Sequence, residues 1–292
     1  MIDKLKSLCK TIFEIDRKVD ELRFLQGCIA CNQLKFIEDN SKPHEFKCFS
    51  QWGEDGIIQW LINNIAISRK IFIEFGTQNY TESNTRFLLM HDNWAGLVID
   101  GDESNINYIR NDEIYWRYNL KAVQCFITAE NINTVFKENG IVGEIGILSV
   151  DIDGNDYWVW KAIEVVAPDI VICEYNHRFG TDKAITIPYD PMFTRDKGHY
   201  SCIYYGASIR ALSLLGESKG YSLVAGNSNG NNIFFVKNKL LNNIVKKKDV
   251  EEVFAVGRFR ESRNEYGKLA FLDAKEEEEL LKSLDYVDVA KV

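Results

Sequence analysis

Residues 70–100 constrain this chain more than any other stretch. They open Lys-Ile-Phe-Ile-Glu-Phe-Gly at Lys70 and close Trp-Ala-Gly-Leu-Val-Ile-Asp at Asp100. Residues 71–75 make a short apolar run carrying one acid, Glu74, and Gly76 breaks it. Thr81 then offers a side-chain oxygen where a helix would begin, and Glu82 falls in the first turn, where the helix dipole favours an anion. A second apolar run, 96–99, ends on Asp100. Strand, glycine turn, helix, strand and acid is the order of the first half of a mononucleotide-binding unit. Asp100 lies about 24 residues past the glycine, near the spacing of a carboxylate that grips a ribose diol.

The pattern continues downstream. Strands are predicted over 120–127, 145–150 and 168–173, with helices over 57–65, 103–111, 131–138, 157–166 and 207–219. Residues 221–225 and 232–236 read as a hairpin around a turn rich in Gly, Asn and Ser. Strands alternating with helices, then a hairpin, predict an α/β fold: a doubly wound, Rossmann-like sheet with a terminal antiparallel hairpin. Ligands in such sheets sit beyond the carboxyl ends of the strands. Glu74-Phe-Gly, Asp100, Asp151-Ile-Asp and Glu174-Tyr-Asn-His all fall at predicted strand ends.

The flanks divide the chain into three segments. Residues 1–45 form an N-terminal helical segment, 46–240 the sheet domain, and 241–292 a C-terminal helical extension. Within the first, Leu5, Leu8, Ile12, Ile15, Val19 and Leu22 recur at steps of three and four, as in a coiled coil. Gln26 would take a core position and Ile29 would resume the seam. The helix either pairs two copies in a homodimer or docks on its own domain. Ser41-Lys-Pro-His44 marks a linker. Ser50 is the predicted cap of the helix that follows, and Gln51 and Glu54 either reach a ligand at the strand edge or only cap that helix. After His177 comes a loop of about 25 residues holding Arg178, Tyr189, Arg195, His199 and Tyr200, and loops that long are usually lids or binding elements. Arg258, Arg260 and Arg263 in 253–263 either meet an anion or lie on a solvated face, and the charge runs at 246–248 and 276–279 read as solvated.

A net charge of −8 argues against a nucleic-acid groove, which needs a basic excess. The N-terminus lacks the apolar core of a signal peptide, and no run approaches the roughly 18 apolar residues of a membrane span. A cytoplasmic protein with no membrane span is expected. The cysteines number seven, and Cys28-Ile-Ala-Cys31 has no second pair to complete a zinc site, so they read as packing thiols.

Over about 50–237, the sequence resembles the FkbM type of class I S-adenosylmethionine-dependent methyltransferase. Three pieces carry the resemblance: Phe72-Ile-Glu-Phe-Gly76, Leu148-Ser-Val-Asp-Ile-Asp-Gly154, and Pro168-Asp-Ile-Val-Ile-Cys-Glu174. The closing hairpin resembles the reversed seventh strand of that fold. One departure is the first turn, which has one glycine, with Gln78 and Asn79 where small residues are usual. The resemblance implies a seven-stranded sheet and methyl transfer from S-adenosylmethionine to a hydroxyl of a sugar or nucleotide-linked sugar, for capsule or lipopolysaccharide synthesis. It implies that Glu74 and Gly76 meet the cofactor's amino-acid end and sugar, with Gln51, Thr77 and Asn84 beside them. Asp100 would take the ribose, Phe126 would line the adenine, and Asp151 would face the methyl group.

Methyl transfer is an in-line displacement, so catalysis is mostly positioning. A hydroxyl acceptor must also lose a proton. Asp151, Asp153, Glu174, His177 and His199 are candidate bases. The alternative is Mg2+ held by Asp151, Asp153, Glu174 and Asn176, whose oxygens suit a hard cation. Asn176, Arg178, Arg195, His199 and Tyr200 are candidate acceptor contacts. Tyr189, Tyr200, Tyr204 and Tyr205 would stack on a sugar, while Arg178, Arg195 and Lys197 would hold a phosphate. The expected partner is a small carbohydrate, phosphorylated or nucleotide-linked. Two other readings stand beside this one. A nucleotide-sugar dehydrogenase or epimerase would need Gly-x-Gly-x-x-Gly, which is absent. A non-catalytic, methyltransferase-like binding protein would work through its N-terminal helix.

Overall fold

The computed structural model describes residues 2–37 and 39–291, with the side chains at 2, 3, 5–10, 13, 14 and 16 left aside. The chain opens with α1 (Ile2–Leu34), α2 (Glu54–Asn64), β1 (Ile71–Phe75), α3 (Arg86–His91) and β2 (Ala95–Asp100). It continues with α4 (Glu103–Asn111), α5 (Glu113–Arg117), β3 (Leu120–Gln124), α6 (Ile132–Glu138), β4 (Gly143–Val150), α7 (Asp156–Ala162) and β5 (Val166–Glu174). Next come β6 (Ile185–Thr186), α8 (Arg195–Gly198), α9 (Ile209–Ser218), β7 (Tyr221–Gly226) and β8 (Asn232–Lys237). The chain closes with α10 (Val250–Val253), α11 (Ala274–Leu281) and β9 (Val287–Asp288).

Seven strands form one sheet in the order β3-β2-β1-β4-β5-β8-β7. The first five are parallel, and β8 runs antiparallel between β5 and β7. This is the expected doubly wound sheet with its hairpin. Parallel strands are covered on both faces and so read as unbroken apolar runs. Successive side chains point to opposite faces. Ile73 and Phe75 therefore pack with Leu148, Val150, Trp160 and Leu212 on one side, while Phe72 packs with Ile147, Ile57 and Leu89 on the other. The strand order reverses beside β1, which puts the switch-point crevice at the carboxyl ends of β1 and β4.

Three local expectations differ. The helix after Gly76 starts at Arg86, not Thr81. Glu74 is the cause: it accepts from Ser83 Oγ at 2.6 Å, Asn84 N at 2.9 Å and Thr85 N at 3.1 Å, and from Thr85 Oγ1, so it holds 83–85 as a loop. Gly53, not Ser50, takes the cap position of α2, while Ser50 Oγ accepts from Asp55 N at 3.1 Å. The helix expected over 157–166 ends at Ala162, and β5 begins at Val166.

The two flanks fold differently. α1 docks through Phe24, Cys28 and Cys31, which pack with Cys48, Phe49 and Phe87. The approach is close: a Cβ on Gly27 would stand 2.7 Å from Cys48 Sγ. The seam lies on another face, where Ile12, Ile15, Val19, Leu22 and Ile29 are all exposed. The side chains of Leu5 and Leu8 lie outside the described residues. The C-terminal extension is mostly irregular rather than helical, with only α10 and α11 in it. β9 pairs with β6, tying its end to the long loop. Among the described residues, no helix is long and apolar enough to cross a membrane.

Candidate active site

Two cavities open side by side at the carboxyl rim, of about 340 Å³ and about 350 Å³. Gly76, Gln78, Asp151 and Asp153 line both.

The common wall is built by backbone constraint. Gly76 has φ +75°, and a Cβ there would lie 1.7 Å from the Asp151 carbonyl oxygen. Only glycine permits both the left-handed turn and that approach of β1 to the end of β4. Gln78 is also left-handed, at φ 47°, and its N–H donates to Asp100 Oδ2 at 2.8 Å. Asp153 sits at φ 53° in the turn after β4. Asp156 shapes that turn by accepting from Ile152 N at 2.8 Å and Gly154 N at 2.9 Å. Burial raises the Asp156 carboxyl to about 6.

The first cavity is bounded by Asp100, Asp102, Phe126 and Phe193. Asp100 Oδ1 accepts from Asp102 N and Asn105 Nδ2, so with Gln78 three donors already orient it. A carboxylate has about four acceptor positions, so capacity for a ligand hydroxyl remains. The Phe126 ring is 45% exposed, which leaves a face for a flat apolar group. Phe193 reaches in from the long loop and lies against Gly154 and Gly198, where an added Cβ would stand 2.3 and 2.4 Å from its ring.

The second cavity holds the ionisable groups. Asp151, Asp153 and Glu174 each place one carboxylate oxygen within 4.8 Å of the others. Glu174 Oε2 is buried without a hydrogen-bond partner. Burial, reinforced by the neighbouring carboxylates, pushes both Asp151 and Glu174 well above the usual carboxyl range. Arg195 reaches in from α8. It donates to Asp153 Oδ1 at 2.7 Å, pairs with Glu261, and lies 3.9 Å over the Tyr205 ring. Across the cavity Trp52 and Phe259 stack at 6.1 Å and 17°.

The sequence candidates divide accordingly. Gly76, Asp100, Phe126 and Asp151 line the first cavity; Gln51, Gly76, Asp151, Asp153, Glu174 and Arg195 line the second. Glu74, Thr77 and Asn84 are not among the lining residues. Glu74 is saturated by 83–85, and Asn84 Nδ2 donates to Ser149 Oγ at 3.1 Å. Asn176 is not among the lining residues: it is buried, its Nδ2 donates to Ile203 O and Tyr205 O, and its Oδ1, the atom a metal would need, accepts from Arg178 N at 3.2 Å. His177 stands apart from the acids, against Gly257 and Phe259, and burial lowers it to about 4. His199 and Tyr200 stack on each other at 4.2 Å away from both cavities. Arg178 is spent on Glu261 at 3.0 Å and Glu277 at 2.9 Å. The tyrosines expected to stack on a ligand serve the scaffold instead: Tyr189 donates to Glu130, Tyr204 to Asp285 O, and Tyr205 to Glu261.

Lining residues not chosen as site candidates from the sequence include Trp52, Phe193, Phe259 and Glu261. For the last two a signal exists. Arg258 and Arg260 are exposed while Phe259 and Glu261 are not, which is the period-two alternation of an extended segment with one covered face.

No family model matches the sequence, and no curated protein matches it. Similar solved structures include the N-terminal domain of EvdMO1 with SAH bound, at 10% identity over 71% of this chain and 94% of that one, TM-score 0.40. Another is an O-methyltransferase family protein from Burkholderia thailandensis, at 10% identity over 74% and 71%, TM-score 0.40. A third is an S-adenosylmethionine-dependent methyltransferase from Clostridium acetobutylicum, at 9% identity over 63% and 89%, TM-score 0.40.

Proposed function

We propose that this chain is an S-adenosylmethionine-dependent O-methyltransferase that modifies a hydroxyl of a carbohydrate. The supporting observation is the wall shared by two cavities at one sheet rim, with a ribose-type acid and an exposed aromatic residue on one side and three converging carboxylates on the other. The donor fits the first cavity: Asp100 meets the ribose hydroxyls, Phe126 stacks on the adenine, and Gly76 keeps the backbone clear. S-adenosylmethionine, when bound, supplies a methyl on a sulfonium and leaves as the thioether S-adenosylhomocysteine once the acceptor oxygen has taken that carbon. Asp151 lines both cavities and so borders the transfer point. The acceptor hydroxyl gives its proton to Asp151 or Glu174, whose raised pKa values bring their basicity toward neutral pH. The orphaned Glu174 Oε2 and the three converging carboxylates also form a donor set for Mg2+. Asp151, Asp153 and Glu174 would hold it, and it would polarise the acceptor oxygen.

Calorimetry tests the donor site. Micromolar binding of S-adenosylmethionine and S-adenosylhomocysteine is expected, with none of NAD, and Asp100→Ala weakens both by about tenfold or more. Binding of NAD with equal affinity would overturn the assignment.

The reading extends to assembly. The exposed α1 seam supports a homodimer, because the face that docks α1 on its own domain is a different one. Ile12, Val19 and Gln26 recur at one seam position and Ile15, Leu22 and Ile29 at the other, and a polar residue in the seam favours a fixed register in paired helices.

A further inference from the structure

Residues 254–263 cross the mouth of the second cavity as an irregular strap. Ala255 N donates to Tyr175 Oη at 3.1 Å, Tyr175 Oη donates to Ala255 O at 2.8 Å, and Arg263 N donates to Ser201 O at 3.0 Å. Between these anchors Phe259 and Glu261 turn inward. Phe259 stacks on Trp52, a residue 43% exposed, making an aromatic platform beside the amides of Gln51 and Asn231. A platform of flat rings next to planar polar groups suits the apolar face and hydroxyl edge of a sugar ring.

The charge balance narrows the choice further. The lining carries four acids, Asp151, Asp153, Glu174 and Glu261, against one cation, Arg195. Arg195 is held by Asp153 and Glu261, and Arg178 behind it by Glu261 and Glu277. No lining side-chain cation is left over for a phosphate, and in the metal-free site like charge at short range repels one.

We propose that the strap makes the second cavity an acceptor subsite for an uncharged sugar ring, seated on Trp52 and Phe259, and that Glu261 excludes phosphorylated and nucleotide-linked sugars by neutralising the two arginines. This deepens the methyltransferase reading and rests on it for the identity of the first cavity only. The test is calorimetry on the full chain, saturated with S-adenosylhomocysteine, against a panel of common hexoses and deoxyhexoses. Each is presented as its methyl glycoside, its 1-phosphate and its uridine diphosphate conjugate. At least one methyl glycoside binds, at least tenfold tighter than its phosphorylated forms. Phe259→Ala weakens that glycoside by about tenfold, while Phe259→Leu, which keeps the bulk, gives an intermediate loss. Glu261→Gln removes the one acid that both arginines share and leaves Arg195 only Asp153, so the preference against phosphate falls to about threefold or less.

Tighter binding of any phosphorylated form overturns the proposal. So does unchanged glycoside affinity in Phe259→Ala, or binding of S-adenosylhomocysteine with no glycoside bound. Glycoside binding without S-adenosylhomocysteine binding would leave the subsite standing and remove the methyltransferase reading.

Discussion

The two flanks of the sheet make opposite use of their residues. α1 has the most regular pattern in the chain, a seam at heptad spacing, and it lies away from both cavities with that seam in solvent. The strap at 254–263 has no helical pattern, yet it brings Phe259 and Glu261 to the acidic cavity. Periodicity reports what a regular element packs against. A segment that builds a site need only place single side chains, and nothing in its pattern has to repeat.

The contrast can be attacked from the site outward. The largest effect is expected at the acids. Glu174→Gln lowers the methyl-transfer rate roughly 10²–10⁴-fold, the range for removing a general base, while S-adenosylhomocysteine affinity stays within about threefold. The same variant has a pH signature. Folded Asp151 and Glu174 carry raised pKa values, so they hold protons that the unfolded chain releases. Their contribution to stability is complete below the ordinary carboxylate range and is lost as pH rises through the raised folded values. Urea titrations from pH 5 to 8 should therefore show stability falling with pH, and less steeply in Glu174→Gln. Some slope stays, because burial also raises Asp55 and Asp156 to about 6. A slope equal to that of the unaltered chain would sink the buried-pair account.

Next in size is the strap's anchor. Arg178→Ala strands Glu277 and takes from Glu261 one of its two arginine partners in a largely buried setting, and should cost about 3 kcal/mol. Denaturant melts check the cost, and a loss below about 0.5 kcal/mol, the scale of an ordinary surface change, would mean that Arg178 does not hold the strap.

The smallest effect on folding belongs to α1. Ile15→Glu with Leu22→Glu should move stability of a monomer by no more than about 0.5 kcal/mol, because both side chains are exposed. Sedimentation should show a dimer converted to monomer with cofactor affinity unchanged. A monomer before the change would erase the seam's assigned role.

Much of the architecture was legible because buried parallel strands leave unbroken apolar runs. The runs at 71–75, 96–99 and 145–150 fall within β1, β2 and β4. Asp100, Asp151, Asp153 and Glu174 were legible because a strand's end fixes where its last side chain lies. Glu74 was misplaced because its sequence position resembles that of a ligand-facing acid, while its partners at 83–85 arise from a loop that local propensity reads as helix. Arg178 and Arg195 looked available for phosphate because their neutralising acids, Glu261 and Glu277, lie far along the chain. Trp52 and Phe259 meet across about 200 residues, a separation at which spacing says nothing.

The strap also sets an order of assembly. Domains tend to fold from the N-terminal side during synthesis, and the strap follows every strand of the main sheet in the sequence. The walls that would grip a nucleoside come from residues up to Phe193, whereas Phe259 and Glu261 emerge from the ribosome later. On the proposed reading, the last residues assigned to the acceptor are therefore made after all of those assigned to the donor, so the acceptor subsite is the last part of the site to be completed.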